Sequence, residues 1–148
     1  MMKNTLSAIG LSLCLAATTA CSADIAAFTA KVPDADKAKI RQALPATAPT
    51  KVKAPRKVLV CTLTKGFRHG SIATGVYALD ELGKKTGAFT LTHTENPADF
   101  AADNLAKYDG VIMLNTTGSL FKEESLRKGF VDYIKSGHAI IGIHSATD

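Results

Sequence analysis

Residues 57–72 read KVLVCTLTKGFRHGSI, and this stretch decides the fold class. The run KVLVCTL (57–63) is apolar and rich in β-branched residues, which is typical of a strand buried on both faces of a parallel sheet. A polar loop follows, and Ser71 then stands where the N-cap of a helix is expected. A strand, a loop and a helix in this order predict one unit of an α/β fold.

The same unit recurs toward the end of the chain. Helical spacing from Ile72 to Leu82 predicts a helix that Gly83 and Gly87 end, and a second long helix over 122–136 stops at Gly137. Three further strands are predicted, AFTLTHT (88–94), DGVIMLN (109–115) and HAIIGIH (138–144). The alternation predicts a doubly wound parallel sheet of about four strands, in which we expect the fourth strand to be central.

The first 23 residues have the layout of a secretory signal peptide. A basic start at Lys3 precedes an apolar stretch over 6–17 that is too short to span a membrane, and small residues lead to Cys21. The sequence TTAC (18–21) resembles a bacterial lipobox, so Cys21 is the predicted lipidation site. Cleavage after Ala20 or Ala23 without lipidation, or an uncleaved anchor, is the alternative.

These patterns divide the chain into three parts. Residues 1–20 are the predicted signal peptide, 21–56 an Ala/Pro/Lys-rich tether with a short helix over 34–44, and 57–148 the α/β domain. The expected location is the periplasm or the outer membrane, with a lipid anchor as the membrane contact. The chain stops where a helix is expected after the fourth strand, so we expect it to be the first part of a longer domain.

Charge and cysteine content exclude some functions. The formal net charge is +5, but much of the excess lies in a short run (51–57) without interleaved aromatic residues, which favours a solvated linker or anionic lipid over nucleic acid. Cys61 lies within an apolar strand, so we expect a buried, inert thiol.

Polar residues follow each predicted strand, at the edge where ligands bind in parallel sheets. The candidate catalytic residues are His69, His144 and Asp148. The candidate ligand-binding residues are Asn115, Thr116, Thr117, Gly118 and Ser145. The amide, the two hydroxyls and the flexible glycine backbone of 115–118 suit a neutral hydroxylated ligand such as a sugar. His138 lies at the opposite edge and is expected to be a surface residue.

Each candidate also has a purely structural interpretation. His144 and Asp148 are one helical turn apart, which suits a histidine oriented by a carboxylate, or two ligands of a divalent metal completed by His69. Asp148 could instead cap a following helix, His69 could be a solvent-exposed loop residue, and NTTG (115–118) is ordinary turn chemistry. The segment GIHSA (142–146) lacks the second glycine of a nucleophile elbow, and no phosphate-binding glycine motif is present.

Three segments together carry a family resemblance: KVLVCTLTKGFRHGSI, YDGVIMLNTTG and FVDYIKSGHAIIGIHSATD. In order and spacing they resemble the ThuA-like (trehalose utilisation) family of the class I glutamine amidotransferase-like superfamily. The resemblance implies a flavodoxin-like α/β fold with strand order 2-1-3-4. It also implies that His144 occupies the position at which amidotransferases carry their nucleophilic cysteine, so glutamine hydrolysis through a thiolate is not expected.

Together with the signal layout and the polar residues after the strands, the resemblance implies an exported protein that acts on a carbohydrate through a histidine-based site. The family's recurrent polar positions fall on His69, on 116–118, and on His144, Ser145 and Asp148. A non-catalytic sugar-binding or accessory module and an inactive fragment are the alternatives.

Overall fold

The computed structural model describes residues 24–147. Its centre is a four-stranded, all-parallel sheet with the order β2-β1-β3-β4, which confirms the predicted flavodoxin-like α/β class and strand order. The strands are β1 (Arg56–Cys61), β2 (Phe89–Thr94), β3 (Gly110–Leu114) and β4 (Ala139–Ile143). The helices are α1 (Asp34–Ala43), α2 (Ile72–Thr86), α3 (Ala102–Leu105) and α4 (Glu124–Lys135), and Pro97–Phe100 forms a 3-10 turn.

The register aligns the carboxyl ends of the strands. Cys61 pairs with Thr94 on one side and with Met113 on the other, and Leu114 pairs with Ile143. The loops that follow all four strands therefore leave the sheet at one edge, where the predicted site residues were placed.

Alternate residues of the strands pack against opposite layers of helices. Leu59 and Val111 join a cluster with Phe100 and Tyr133, on the side of α4 and the 3-10 turn. Val60 and its neighbours on the other face pack against α2. Both faces of β3 and of the second half of β1 are thus buried, which is the physical reason that these segments are continuously apolar.

Strand β4 lies at the edge of the sheet that the described residues form, as the predicted order 2-1-3-4 requires, and its central place in a longer domain stays a prediction. Ile140 and Ile141 remain 44% and 52% exposed, because within the described residues no helix packs on them as α2 packs on β2 and β3. The apolar character of the strand predicted burial, but its position in the strand order determines its exposure.

The segment predicted as a tether packs against the domain over its first part. Residues 24–29 are helical, Ile25 and Val32 are buried with residues of α2 and the sheet, and the Phe28 ring contacts His93. The Lys85 ammonium at the end of α2 donates to the carbonyl oxygens of Arg41 and Leu44, at 3.0 and 2.7 Å. Residues 45–55 contain no helix or strand, and only this part resembles a spacer.

Two glycines end their helices as predicted, and a third does not. Gly87 and Gly137 have φ values of 65° and 94°, which other residues adopt at a cost. Gly83 lies inside α2, where a Cβ atom would come within 2.6 Å of the Phe89 carbonyl oxygen. A glycine is therefore required at position 83 by the close packing of α2 on β2 and not by helix termination.

In the part of the chain that the structure covers, none of the helices combines the length and apolar character needed to cross a membrane. Cys21 and the rest of the predicted signal peptide lie outside the described residues.

Candidate functional site

The loops after β1 and β4 bring two predicted site histidines into contact. The rings of His69 and His144 lie edge to face, with centroids 4.5 Å apart and an interplanar angle of 71°. Between residues 24 and 147 neither imidazole forms a hydrogen bond or an ion pair, and His69 is partly exposed while His144 is exposed. Their nitrogens are therefore available to a ligand.

The backbone is strained at the ends of the two strands beside this pair. Asn115 and His144 have φ values of 52° and 58°, and they are the two non-glycine residues of the described chain in the left-handed region. Such a conformation costs on the order of 1 kcal/mol or more and is concentrated at functional sites. In both cases it lets the chain turn sharply as soon as the strand ends.

Asn115 ties the end of β3 to the start of α2. Its buried side chain donates from Nδ2 to the Ser71 hydroxyl at 3.0 Å, and its backbone N–H donates to the Ile143 carbonyl at 3.2 Å. Ser71 is the N-cap by position, as predicted, but its hydroxyl forms no capping hydrogen bond. Through these two hydrogen bonds, Asn115 holds the ends of β3 and β4 and the start of α2 together and so contributes to the shape of the site.

Thr117 joins the loop after β1 to the turn after β3. Its hydroxyl donates to the Phe67 carbonyl at 2.9 Å and accepts from the Gly66 amide at 3.2 Å, while its carbonyl accepts from the Lys65 amide at 2.8 Å. The residue is 1% exposed, so its hydroxyl is fully used inside the protein. Gly118 follows at a φ of 72°, and a Cβ atom there would lie 3.3 Å from the Gly66 nitrogen. Both residues position the loop that carries His69.

Thr116 and Ser145 carry hydroxyl groups that lack partners. Both oxygen atoms are buried, and among the described residues neither has a hydrogen-bond partner. Unpaired buried hydroxyls cost roughly 1–3 kcal/mol each, so they are uncommon away from functional sites. Each follows one of the strained residues, which places them at the ends of the adjacent strands β3 and β4.

A second polar cluster lies at the ends of β1 and β2. The Thr62 hydroxyl donates to a Glu95 carboxylate oxygen at 2.8 Å and lies 2.7 Å from Nε2 of His93, and Arg68 forms an ion pair with Glu95 at 2.6 Å. If the Thr62 proton goes to the carboxylate, His93 must donate to Thr62 from a protonated Nε2. Thr62 is fully buried, so this arrangement supports the structure and cannot present a nucleophile.

The surroundings of this cluster shift two pKa values. Burial lowers the pKa of His93, and Arg68 adds to this effect against the opposing charge of Glu95. Burial alone would raise the pKa of Glu95, but hydrogen bonds from Arg68 and Thr62 outweigh it and leave the pKa below its usual value. A neutral histidine and an ionised glutamate are therefore favoured in the folded protein.

Cys61 is buried beneath the site and is unsuited to nucleophilic chemistry. Burial raises the pKa of its thiol to about 11, and Glu95 and Asp99 contribute in the same direction against the opposing effect of a backbone hydrogen bond. A thiol with this pKa is almost entirely protonated at neutral pH.

The remaining candidates are placed as follows. Asp148 lies outside the described residues, and between 24 and 147 the structure contains no group of three His, Cys, Asp or Glu side chains arranged to hold a metal ion. His138 stacks on Tyr133 with centroids 4.1 Å apart, away from the crevice.

Sequence reasoning did not single out Thr62 or Phe67. Thr62 was read as part of an apolar strand, although a lone hydroxyl in that run was a signal for a buried polar contact. Phe67 was read as part of a polar loop, yet its ring is 71% exposed and contacts His69 with centroids 4.8 Å apart. A large aromatic residue among charged loop residues was the available signal.

Comparison with known protein families gives a match. A family model described as "ThuA: Trehalose utilisation" matches residues 57–148, which is more than half of the chain. No curated protein and no solved structure matches the chain.

Proposed function

Because the chain belongs to the ThuA, or trehalose utilisation, family, we propose that it acts on a carbohydrate of the trehalose or glycoside class. The reaction takes place at the carboxyl edge of the sheet, with His69 and His144 as the proton-transferring groups. The observation that carries this proposal is the edge-to-face contact of the two rings, which come from separate loops. Within the described residues, no other side chain or backbone group bonds to their nitrogens.

Imidazole is suited to this role because its charge changes near neutral pH. Two rings side by side can divide the work, with one accepting a proton from an attacking hydroxyl or water while the other donates to the leaving oxygen. The two must then act on the same bound molecule, which a centroid separation of 4.5 Å permits.

The neighbouring hydroxyl groups support a polyhydroxylated ligand. Thr116 and Ser145 can each donate and accept a hydrogen bond, and sugar hydroxyls do the same. Pairing with a sugar, directly or through a water molecule, would recover the free energy lost by their burial. We assign to Asp148 the orientation of His144, on the support of their four-residue spacing in the sequence.

Activity assays on the purified chain test the proposal. The substrates are trehalose, maltose, sucrose and aryl glucosides, and the variants are His69→Ala and His144→Ala. We expect each variant to lose about 10²–10⁴-fold in turnover with near-normal sugar affinity, because general acid or base catalysis contributes this much. His138→Ala is the matched control, since that ring stacks on Tyr133 away from the crevice.

A non-catalytic sugar-binding module is the second candidate. It is favoured by the observation that, within residues 24–147, no carboxylate is paired with either histidine of the site. Binding of sugars with no conversion of any substrate would overturn the enzymatic proposal and support this one.

We also propose that the protein is exported and lipid-anchored at Cys21, on the support of the lipobox-like TTAC sequence. Labelling of bacterial cells with an alkyne analogue of palmitate should mark the wild type and not Cys21→Ser, while Cys61→Ser keeps the label. Equal labelling of all three proteins would overturn anchoring at Cys21.

A further inference from the structure

Phe67 exposes its ring beside the candidate site. Among the large hydrophobic residues that the structure describes, the exposed ones are Phe67, Val131, Ile140 and Ile141. Phe67 is the aromatic member of this set and the member that lies at the carboxyl edge of the sheet. Single exposed hydrophobic residues are common, so exposure alone does not indicate function.

Two further observations separate Phe67 from an ordinary surface residue. Its carbonyl oxygen accepts the Thr117 hydrogen bond, so its backbone is held to the turn after β3 instead of moving with a free loop. Its ring contacts His69 at an interplanar angle of 78°, and His69 contacts His144. The three rings form a continuous series that runs from solvent to the end of β4.

The charged side chain next to the ring in sequence, that of Arg68, is compatible with a neutral ligand. Arg68, the next residue, donates to Glu95 at 2.6 Å, so its charge is balanced within the protein. The hydroxyls of Thr116 and Ser145, which directly follow the strained residues Asn115 and His144, are uncharged.

We propose that Phe67 is a sugar-stacking residue, whose exposed face packs against the apolar C–H face of a pyranose ring that the two histidines then contact at its hydroxyls. A pyranose presents such a face with slightly positive C–H groups, and the face of an aromatic ring carries the complementary negative charge. The inference rests on the proposed carbohydrate function and adds the residue that orients the sugar.

Titration of the full chain with trehalose, followed by calorimetry or by ligand-observed NMR, tests this role. Phe67→Ala and Phe67→Leu should each raise the dissociation constant about tenfold, because the leucine keeps an apolar side chain but has no aromatic face. Phe67→Trp should bind at least as tightly as the wild type. Val131→Ala is the control, since Val131 is 46% exposed on α4.

The outcomes separate this inference from the proposed function. Stacking is overturned if Phe67→Leu binds trehalose as tightly as the wild type, or if Phe67→Trp loses as much affinity as Phe67→Ala. In either case, sugar binding by the wild type leaves the proposed function intact. If no sugar binds the wild type, both fail. If Phe67→Ala lowers turnover but leaves the dissociation constant unchanged, Phe67 only positions His69 and stacking is overturned. Circular dichroism checks that each variant is folded. We expect all of them to fold, because the Phe67 ring is exposed and its replacement removes little buried surface.

Discussion

The rings of His69 and His144 lie in edge-to-face contact, 4.5 Å apart at their centroids, although they follow the first and the last strand of the described sheet. Parallel strands in register deliver their loops to one edge, so residues that are distant in sequence can form one unit. This contact allows the two side chains to act as a unit on one bound molecule.

If the pair acts as a unit, its two mutations are not additive. The double variant His69→Ala/His144→Ala should lose no more turnover than the more damaging single variant, because the accepting and the donating ring act in one step and the loss of either disables that step. Measured kcat values for the four proteins give the coupling directly. Losses that multiply would show instead that the rings act independently.

The Thr117 hydroxyl should contribute to stability more than its size suggests. Thr117→Val keeps the shape but removes the bonds to Gly66 and Phe67, so the free energy of unfolding should fall by about 1–2 kcal/mol. Thr117→Ser keeps the hydroxyl and should lose less. Urea unfolding measures the change, and Thr50→Val, at an exposed position, is the control. Equal stability of the valine variant would show that the loop does not depend on this residue.

Two helical glycines should respond to alanine in opposite directions. Alanine favours a helix over glycine by about 1 kcal/mol, and at Gly129 the new Cβ atom would be at least 3.7 Å from its neighbours, so Gly129→Ala should stabilise the protein. At Gly83 the Cβ atom would lie 2.6 Å from the Phe89 carbonyl, so Gly83→Ala should destabilise it by about 1–3 kcal/mol. Thermal unfolding of both variants distinguishes these effects. A higher melting temperature for Gly83→Ala would mean that α2 shifts freely on β2.

Stability should fall in acid in two separate windows. The pKa of His93 is lowered in the folded state, so the unfolded chain binds the proton more tightly and stability declines as the pH drops below about 6.5. The pKa of Glu95 is also lowered, so its contribution is present above about pH 4.5 and is lost as the pH falls further.

Urea midpoints measured from pH 8 to pH 4 test these signs. His93→Gln should flatten the decline between pH 7 and pH 5, and Glu95→Gln should flatten the decline below pH 4.5. A wild-type midpoint that rises on acidification to pH 5 would contradict the assignment for His93.

The local elements were predicted from the sequence for physical reasons that are themselves local. Strand β1 was predicted because β-branched apolar residues pack on both faces of a parallel sheet. The ends of the two long helices were predicted because Gly87 and Gly137 tolerate a left-handed backbone. The role of Gly83 was missed because the need for glycine there comes from Phe89, a neighbour in space across the turn into β2.

The candidate site was predicted as a region, and its internal contacts were not. Polar residues after each strand indicated the carboxyl edge, since the direction of parallel strands settles where their loops emerge. The distinction between Thr116, with its unpaired hydroxyl, and Thr117, with a fully used one, depends on which way two adjacent side chains point. Residue type alone cannot distinguish them.

By itself, the sequence determined the fold class, the strand segments and the edge that bears the site, because hydrophobic period, helix ends and strand direction are encoded within a few residues. Only the tertiary structure decided that His69 meets His144, that Phe67 is fixed beside them, and that residues 24–44 pack on the domain. Those contacts join separate segments through strand register and side-chain packing, which form only when the whole sheet is assembled.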